Sequence, residues 1–213
     1  MEARLLFLHG FASSAHSTKA RYLRDRCKGL PGLEFHAFDF NPTPSDFEHM
    51  TITGMINRLR QYVLDRNLQT VRLIASSMGA VVGLNYAHRF PGVTGMLFLA
   101  PVLWYRSGGL GEKELRQWKE EEAWPVFHAA FNQEVPLRYA FQEDGRHYLN
   151  PVPPSCPLMI IHGRNDEVIP PDDSRRYAAS YPGMVDLIEV DSEHHLNDHL
   201  EFMWGRVEDF LLR

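Results

Sequence analysis

Cysteine is scarce in this chain of 213 residues: only Cys27 and Cys156 are present, far apart in sequence. That excludes a disulfide-stapled scaffold and a cysteine metal site, and reads as two reduced thiols of a cytoplasmic protein. Charge of one sign is not in excess either. The 22 Lys and Arg stand against 27 Asp and Glu, a net −5, which lacks the basic footprint of a nucleic-acid binder. No apolar run approaches the ~18 to 20 residues of a membrane span. The longer ones, such as Met96 to Trp104, are little more than strand length. The start is not a secretory signal, because Met1 to Arg4 carries both charge signs. The apolar stretch Leu5 to Leu8 is also shorter than the ~7 to 15 residue core of such a signal. Internal repeats and low-complexity segments are missing.

What is there suits an ordinary soluble domain. The hydrophobic share of 44% and charged share of 23% predict one domain over residues 1–213 with a single sizeable core. Short apolar runs alternate with helix-period segments, which implies a mostly parallel sheet covered by helices on both faces. Strands are predicted at 4–9, 33–40, 71–75, 95–100, 158–162 and 185–190. Helices are predicted at 17–28 (with Gly29 to end it), from Thr51 onward, and at 78–90, 173–181 and 198–212. Residues 102–156 break the alternation. They hold Trp104, Trp118 and Trp124, three of the four tryptophans, and leave through Pro151, Pro153 and Pro154. They are predicted to form a lid insertion over the sheet.

The strongest chemical signal is Ala75-Ser76-Ser77-Met78-Gly79, between a strand and a buried helix. A serine on a tight strand-to-helix turn needs small residues two positions either side, and Ala75 and Gly79 supply them. Ser77 is therefore the candidate nucleophile. Ser76, flanked at that distance by Ile74 and Met78, is not. The competing reading of Ser77 is a plain helix cap. A serine needs a base, and His194 or His195 in Asp191-Ser192-Glu193-His194-His195-Leu196 follows the last strand to the same sheet edge. Of the other histidines, His16, His36, His49, His88, His128 and His147 read as surface or lid residues. His9 and His162, ending strands beside glycine, read as structural. Asp166, just past the preceding strand, can orient the imidazole, and its competing reading is a turn aspartate. The order Ser, Asp, His is that of α/β-hydrolases. The N–H groups of Phe11, after Leu8-His9-Gly10, and of Met78 are the natural oxyanion donors. His195 and His199 are four apart with Asp191 and Asp198 nearby. However, His-Glu-x-x-His is missing and no third ligand is compelling, so no metal is expected, and serine chemistry of this kind needs no cofactor.

These residues resemble the α/β-hydrolase superfamily, and within it the compact YqiA-like branch of bacterial esterases. The resemblance is carried by Leu8 to Ser14 with Ser17, Lys19 and Ala20, by Ala75 to Gly79, by Asp166-Glu167-Val168 and by Glu193-His194. It covers nearly the whole chain and is weakest in the insertion; Ala75 stands where a glycine is more familiar. It implies a short form of the fold with about six strands, and it selects His194, which precedes one variable residue and then an apolar one. The expected activity is hydrolysis of carboxylic esters with small or medium apolar acyl groups, through an acyl-enzyme on Ser77. Trp104, Tyr105, Trp118 and Trp124 are candidate walls of the acyl pocket. The competing reading is that they only pack the lid onto the body. A thioester hydrolase is the nearest alternative, and a non-catalytic binder on the same fold is another. The expected partner is a small-molecule ester, with neither nucleic acid nor membrane. The sequence leaves the oligomeric state open.

Overall fold

The computed structural model describes residues 3–107 and 109–212. Its frame is a six-stranded sheet built from β1 (Ala3–Leu8), β2 (Leu33–Phe38), β3 (Val71–Ser76), β4 (Val93–Leu99), β7 (Leu158–Gly163) and β8 (Val185–Val190). The spatial order is β2-β1-β3-β4-β7-β8, and every pairing is parallel. Parallel strands send all their carboxyl ends to one rim. The order reverses between β1 and β3, so the loops after those two strands diverge there and leave a crevice.

Period-two alternation divides the core. Leu6, Leu8, Leu73, Ala75, Met96, Phe98, Leu158 and Ile160 face one side, where α3 (Ile52–Asp65) and α4 (Met78–Arg89) cover them. Leu5, Phe7, Ile74, Leu97, Leu99 and Ile161 face the other. There they meet α1 (Thr18–Cys27), α8 (Leu200–Arg206) and the π-helical turn Val207–Leu211. Thr51 caps α3 as its position predicts, its side chain accepting from the Gly54 N–H. The helix α7 (Asp172–Ser180) leads into β8. Both cysteines are buried and free, and burial pushes each thiol up to about 11, which makes them unreactive.

Three expectations need correction. The last helix does not run unbroken over 198–212. It begins as a 3₁₀ turn at Asn197–His199, continues as α8 and ends in the π-helical turn, which places Val207 and Leu211 in the core. His36 is not a surface residue: its ring is buried against Tyr62, with Nδ1 3.0 Å from the phenol oxygen. Helix α2 (Pro44–Glu48) falls where no element was expected. It starts with a capping box between Thr43 and Asp46.

Residues 102–156 contain α5 (Glu112–Glu121), an antiparallel hairpin of β5 (Ala123–His128) and β6 (Gln133–Arg138), and α6 (Ala140–Gly145). Leu103, Tyr105, Trp118, Val135, Leu137 and Phe141 join the core on the α3–α4 side.

Candidate active site

The loops after β1, β3, β7 and β8 meet at the carboxyl rim. Ser77 sits between β3 and α4 with φ 51° and ψ −121°, a conformation that L residues rarely adopt. The turn is held by its own backbone: Ser77 N–H donates to Leu99 O (3.0 Å), and Ser77 O accepts from Ala80 and Val102 N–H. A side chain at Gly79 would come within 2.7 Å of His9 O, so only glycine lets α4 lie this close to the end of β1. Ser76 remains the last residue of β3, opposite Leu99.

Asp166 and His194 lie on loops that are stitched together. Arg164 N–H donates to Val190 O (2.9 Å), Asn165 N–H to Ser192 O (3.1 Å), and the Asn165 amide to Asp191 (2.9 Å). Gly163 permits this, since a Cβ there would lie 2.7 Å from Glu193 O.

The structure brings the three sequence-predicted side chains into one line. His194 Nε2 is 3.1 Å from Ser77 Oγ, and His194 Nδ1 is 2.7 Å from Asp166 Oδ2. Asp166 Oδ1 accepts from the N–H groups of Val168 (2.9 Å) and Ile169 (2.8 Å). Burial would raise this carboxyl, but hydrogen bonds from His162, His194 and Ile169 outweigh it and hold Asp166 well below the ordinary carboxylate range. An ionised Asp166 only accepts, so His194 Nδ1 carries the ring proton and Nε2 is free to take the Ser77 hydroxyl proton. His195 is exposed, its ring centre 5.8 Å from that of His194, and it lies outside this line. Among the described residues, no group of three His, Cys, Asp or Glu side chains is arranged to hold a metal ion.

The Phe11 and Met78 N–H groups have no acceptor among the described residues. Both residues line the same cavity as Ser77, and a Cβ on Gly10 would sit 3.2 Å from Ser77 Cβ, which measures how near the β1 loop comes. That cavity has a volume of about 350 Å³. Trp104, Tyr105, Trp118 and Trp124 all line it, and two of them also pack the insertion. Trp118 Nε1 donates to Leu137 O (2.8 Å), and the Tyr105 hydroxyl donates to the Gln142 side chain. Sequence reasoning missed several wall residues. Ile52 comes from α3, Phe141 and Gln142 from α6, and Val168 and Ile169 from the Asp166 loop. Arg106, paired with Asp173 and 5.2 Å over the Trp104 ring, completes the mouth. Only Val168, beside Asp166 in the sequence, carried a usable signal. Also missed was the contact of His162, at the end of β7, with Asp166 in the turn that follows it.

A parallel sheet with a strained serine turn after β3 and acid and histidine loops after its last two strands defines an α/β-hydrolase fold. Solved structures share it. A protein from Agrobacterium vitis S4 superposes with a TM-score of 0.82 at 21% identity, covering 99% of this chain and 88% of that one. The mouse α/β-hydrolase domain-containing protein 10 gives 0.78 at 21%, covering 97% and 88%. Est1E from Butyrivibrio proteoclasticus with ferulic acid bound gives 0.79 at 15%, covering 99% and 88%.

The chain belongs to the uncharacterised protein family UPF0227, whose model matches residues 4–211. It is also similar to the mitochondrial palmitoyl-protein thioesterase ABHD10 of Mus musculus, 24% identical over 178 residues. That match covers 78% of this chain and 59% of the relative's length. The Rattus norvegicus protein of the same name is 23% identical over 211 residues, covering 91% and 69%.

Proposed function

We propose that this protein is a serine hydrolase that cleaves acyl esters through Ser77, His194 and Asp166. One observation carries the reading. A continuous hydrogen-bonded line runs from Ser77 Oγ through the His194 ring to Asp166, and it opens at the wall of an apolar cavity. In the mechanism, Ser77 Oγ attacks the acyl carbonyl carbon while His194 Nε2 takes its proton. Asp166 keeps the ring oriented and stabilises the imidazolium. The oxygen that gains charge is received by the Phe11 and Met78 N–H groups. These are set in place beforehand by the β1 loop and the α4 N-terminus. His194 then returns the proton to the leaving oxygen or sulfur, and water, deprotonated by the same ring, releases the acid. Apart from the hydrolytic water, each of these steps uses the chain's own residues.

The apolar walls favour an aliphatic or aromatic acyl group. A specific observation favours thioesters as a second reading: the relatives of known name are palmitoyl-protein thioesterases. The test is a panel of oxygen esters and thioesters of increasing acyl length, hydrolysed by wild type, Ser77→Ala and Ser76→Ala. Ser77→Ala should lose at least about 10³-fold in kcat, and Ser76→Ala should stay within a few-fold. Equal turnover by wild type and Ser77→Ala would overturn the assignment. Thioester kcat/KM above that of the matched oxygen ester would select the second reading.

A further inference from the structure

His162, read from sequence as a structural strand end, is completely buried at the close of β7. The polar contacts of its ring all bear on the Asp166 loop or on α7. Nε2 lies 3.1 Å from Asp166 Oδ2 and 3.0 Å from Ile169 O, and Nδ1 lies 2.8 Å from Ser174 Oγ. These partners fix the tautomer. Ile169 O can only accept, so Nε2 carries the hydrogen and shares it with the carboxylate. Nδ1 is then the acceptor for the hydroxyl of Ser174, itself fully buried. Asp166 Oδ2 therefore receives two imidazole N–H groups, one from His194 at 2.7 Å and one from His162. Oδ1 is taken by two backbone N–H groups, so every direction of the carboxylate is occupied.

We infer that His162 is a positioning residue for the reaction, its Ser174-fixed Nε2–H pinning Asp166 Oδ2 in the plane where His194 needs it. The inference rests on the serine-hydrolase reading of Ser77, His194 and Asp166. His162 touches neither Ser77 nor the cavity, and it acts through Asp166 alone. Without that donor, Oδ1 keeps its two backbone N–H groups but Oδ2 is held by His194 alone, so the carboxylate plane can shift and carry the His194 ring with it. A displacement of an ångström at such a group is enough to cost about 100-fold. The same imidazole also ties Ile169 O to the carboxylate. Since Val168 and Ile169 line the cavity, the acid and part of the acyl wall are set by one side chain.

The two amide substitutions separate this role from packing. In His162→Gln the side-chain N–H₂ reaches the position of Nε2 and keeps the donor to Asp166. In His162→Asn the shorter amide reaches only the position of Nδ1, beside Ser174. The experiment measures kcat and KM on a fluorogenic ester for wild type, His162→Gln, His162→Asn, Ser174→Ala and Ser77→Ala. It also records the downfield proton resonance of the His194–Asp166 hydrogen bond. His162→Asn should lose about 10- to 100-fold in kcat with KM within a few-fold, and its downfield resonance should move or broaden. His162→Gln should keep kcat within a few-fold and retain the resonance, and Ser174→Ala should fall between them. Equal kcat in His162→Gln and His162→Asn, or an unmoved resonance in His162→Asn, would overturn the positioning role. If His162→Asn does not fold, Ser174→Ala decides, and wild-type kcat with an unmoved resonance there overturns it. Full activity in Ser77→Ala would instead bring down the serine-hydrolase reading, a result separate from either His162 outcome.

Discussion

The sheet's carboxyl rim and the insertion that roofs it are held together differently. At the rim, loops that carry Ser77, Asp166 and His194 are fixed by backbone bonds and close backbone approach, as at Gly79 and Gly163. In the roof, the hairpin pairs through its own backbone, but side chains do much of the fastening between its elements and onto the body: Trp118 on Leu137 O, Tyr105 on Gln142, and Asp144 on Thr53 of α3 (2.9 Å from the Thr53 backbone N–H). The rim is built to keep three groups in register, and the roof to enclose a shaped volume. Changes at the rim should therefore act on rate, and changes in the roof on acyl preference and stability.

The largest expected effect breaks the rim. Asp166→Asn leaves shape intact but removes the charge that sets the His194 tautomer, and kcat should fall about 10⁴-fold with KM little changed. Steady-state kinetics on a soluble ester check this; a fall below tenfold would remove Asp166 from the mechanism. Next comes Gly163→Val, whose Cβ meets the Glu193 carbonyl and pushes apart the two stitched loops. It should cost at least about 100-fold in kcat/KM, and activity kept within threefold would show that the loops are not tightly held.

The roof should answer otherwise. Trp118→Ala should destabilise by about 3–5 kcal/mol, measured by urea unfolding. It should also move the acyl-length optimum of a substrate series toward longer chains, as the cavity wall recedes. An unchanged optimum would leave Trp118 as packing alone. The smallest effect concerns His128, fully buried at the end of β5, stacked on Phe131 (ring centres 4.0 Å) and edge-on to Phe47 of α2. Burial, helped by His9 and opposed by Asp39, lowers its pKa from the ordinary 6.5. The unfolded chain thus binds a proton more readily than the folded one. The stability from this group is full above pH 6.5 and is lost as pH falls from there through the lower folded-state value. The Tm of wild type should drop between pH 7.5 and pH 5, and His128→Phe should flatten part of that slope; an identical slope would contradict the assignment.

The same contrast governs what the sequence made legible. The six strands read clearly because parallel, doubly covered strands are continuous apolar runs, as in Leu158 to Ile161. The rim residues read clearly because each lies within a few positions of a strand end. The roof did not. Pro125 faces Pro136 across β5 and β6, and proline pairs argue against strands in any reading from residues alone. The hairpin exists because Val135 and Leu137 are buried against the body. Helix α2 could have been found from Thr43-Pro44-Ser45-Asp46, where a capping box and an N1 proline coincide. The contact of His162 with Asp166 needed the turn geometry, because four residues after a strand end can lead anywhere.

The central claim is that one hydroxyl in this chain is activated by an imidazole. The direct measurement is intact mass and peptide mapping after reaction of the folded protein with a fluorophosphonate, for wild type and His194→Ala. A single adduct on the peptide at Ser77 in wild type, formed far more slowly in His194→Ala, is the predicted result. An adduct at another residue, none on folded wild type, or equal labelling rates in the two proteins would contradict it.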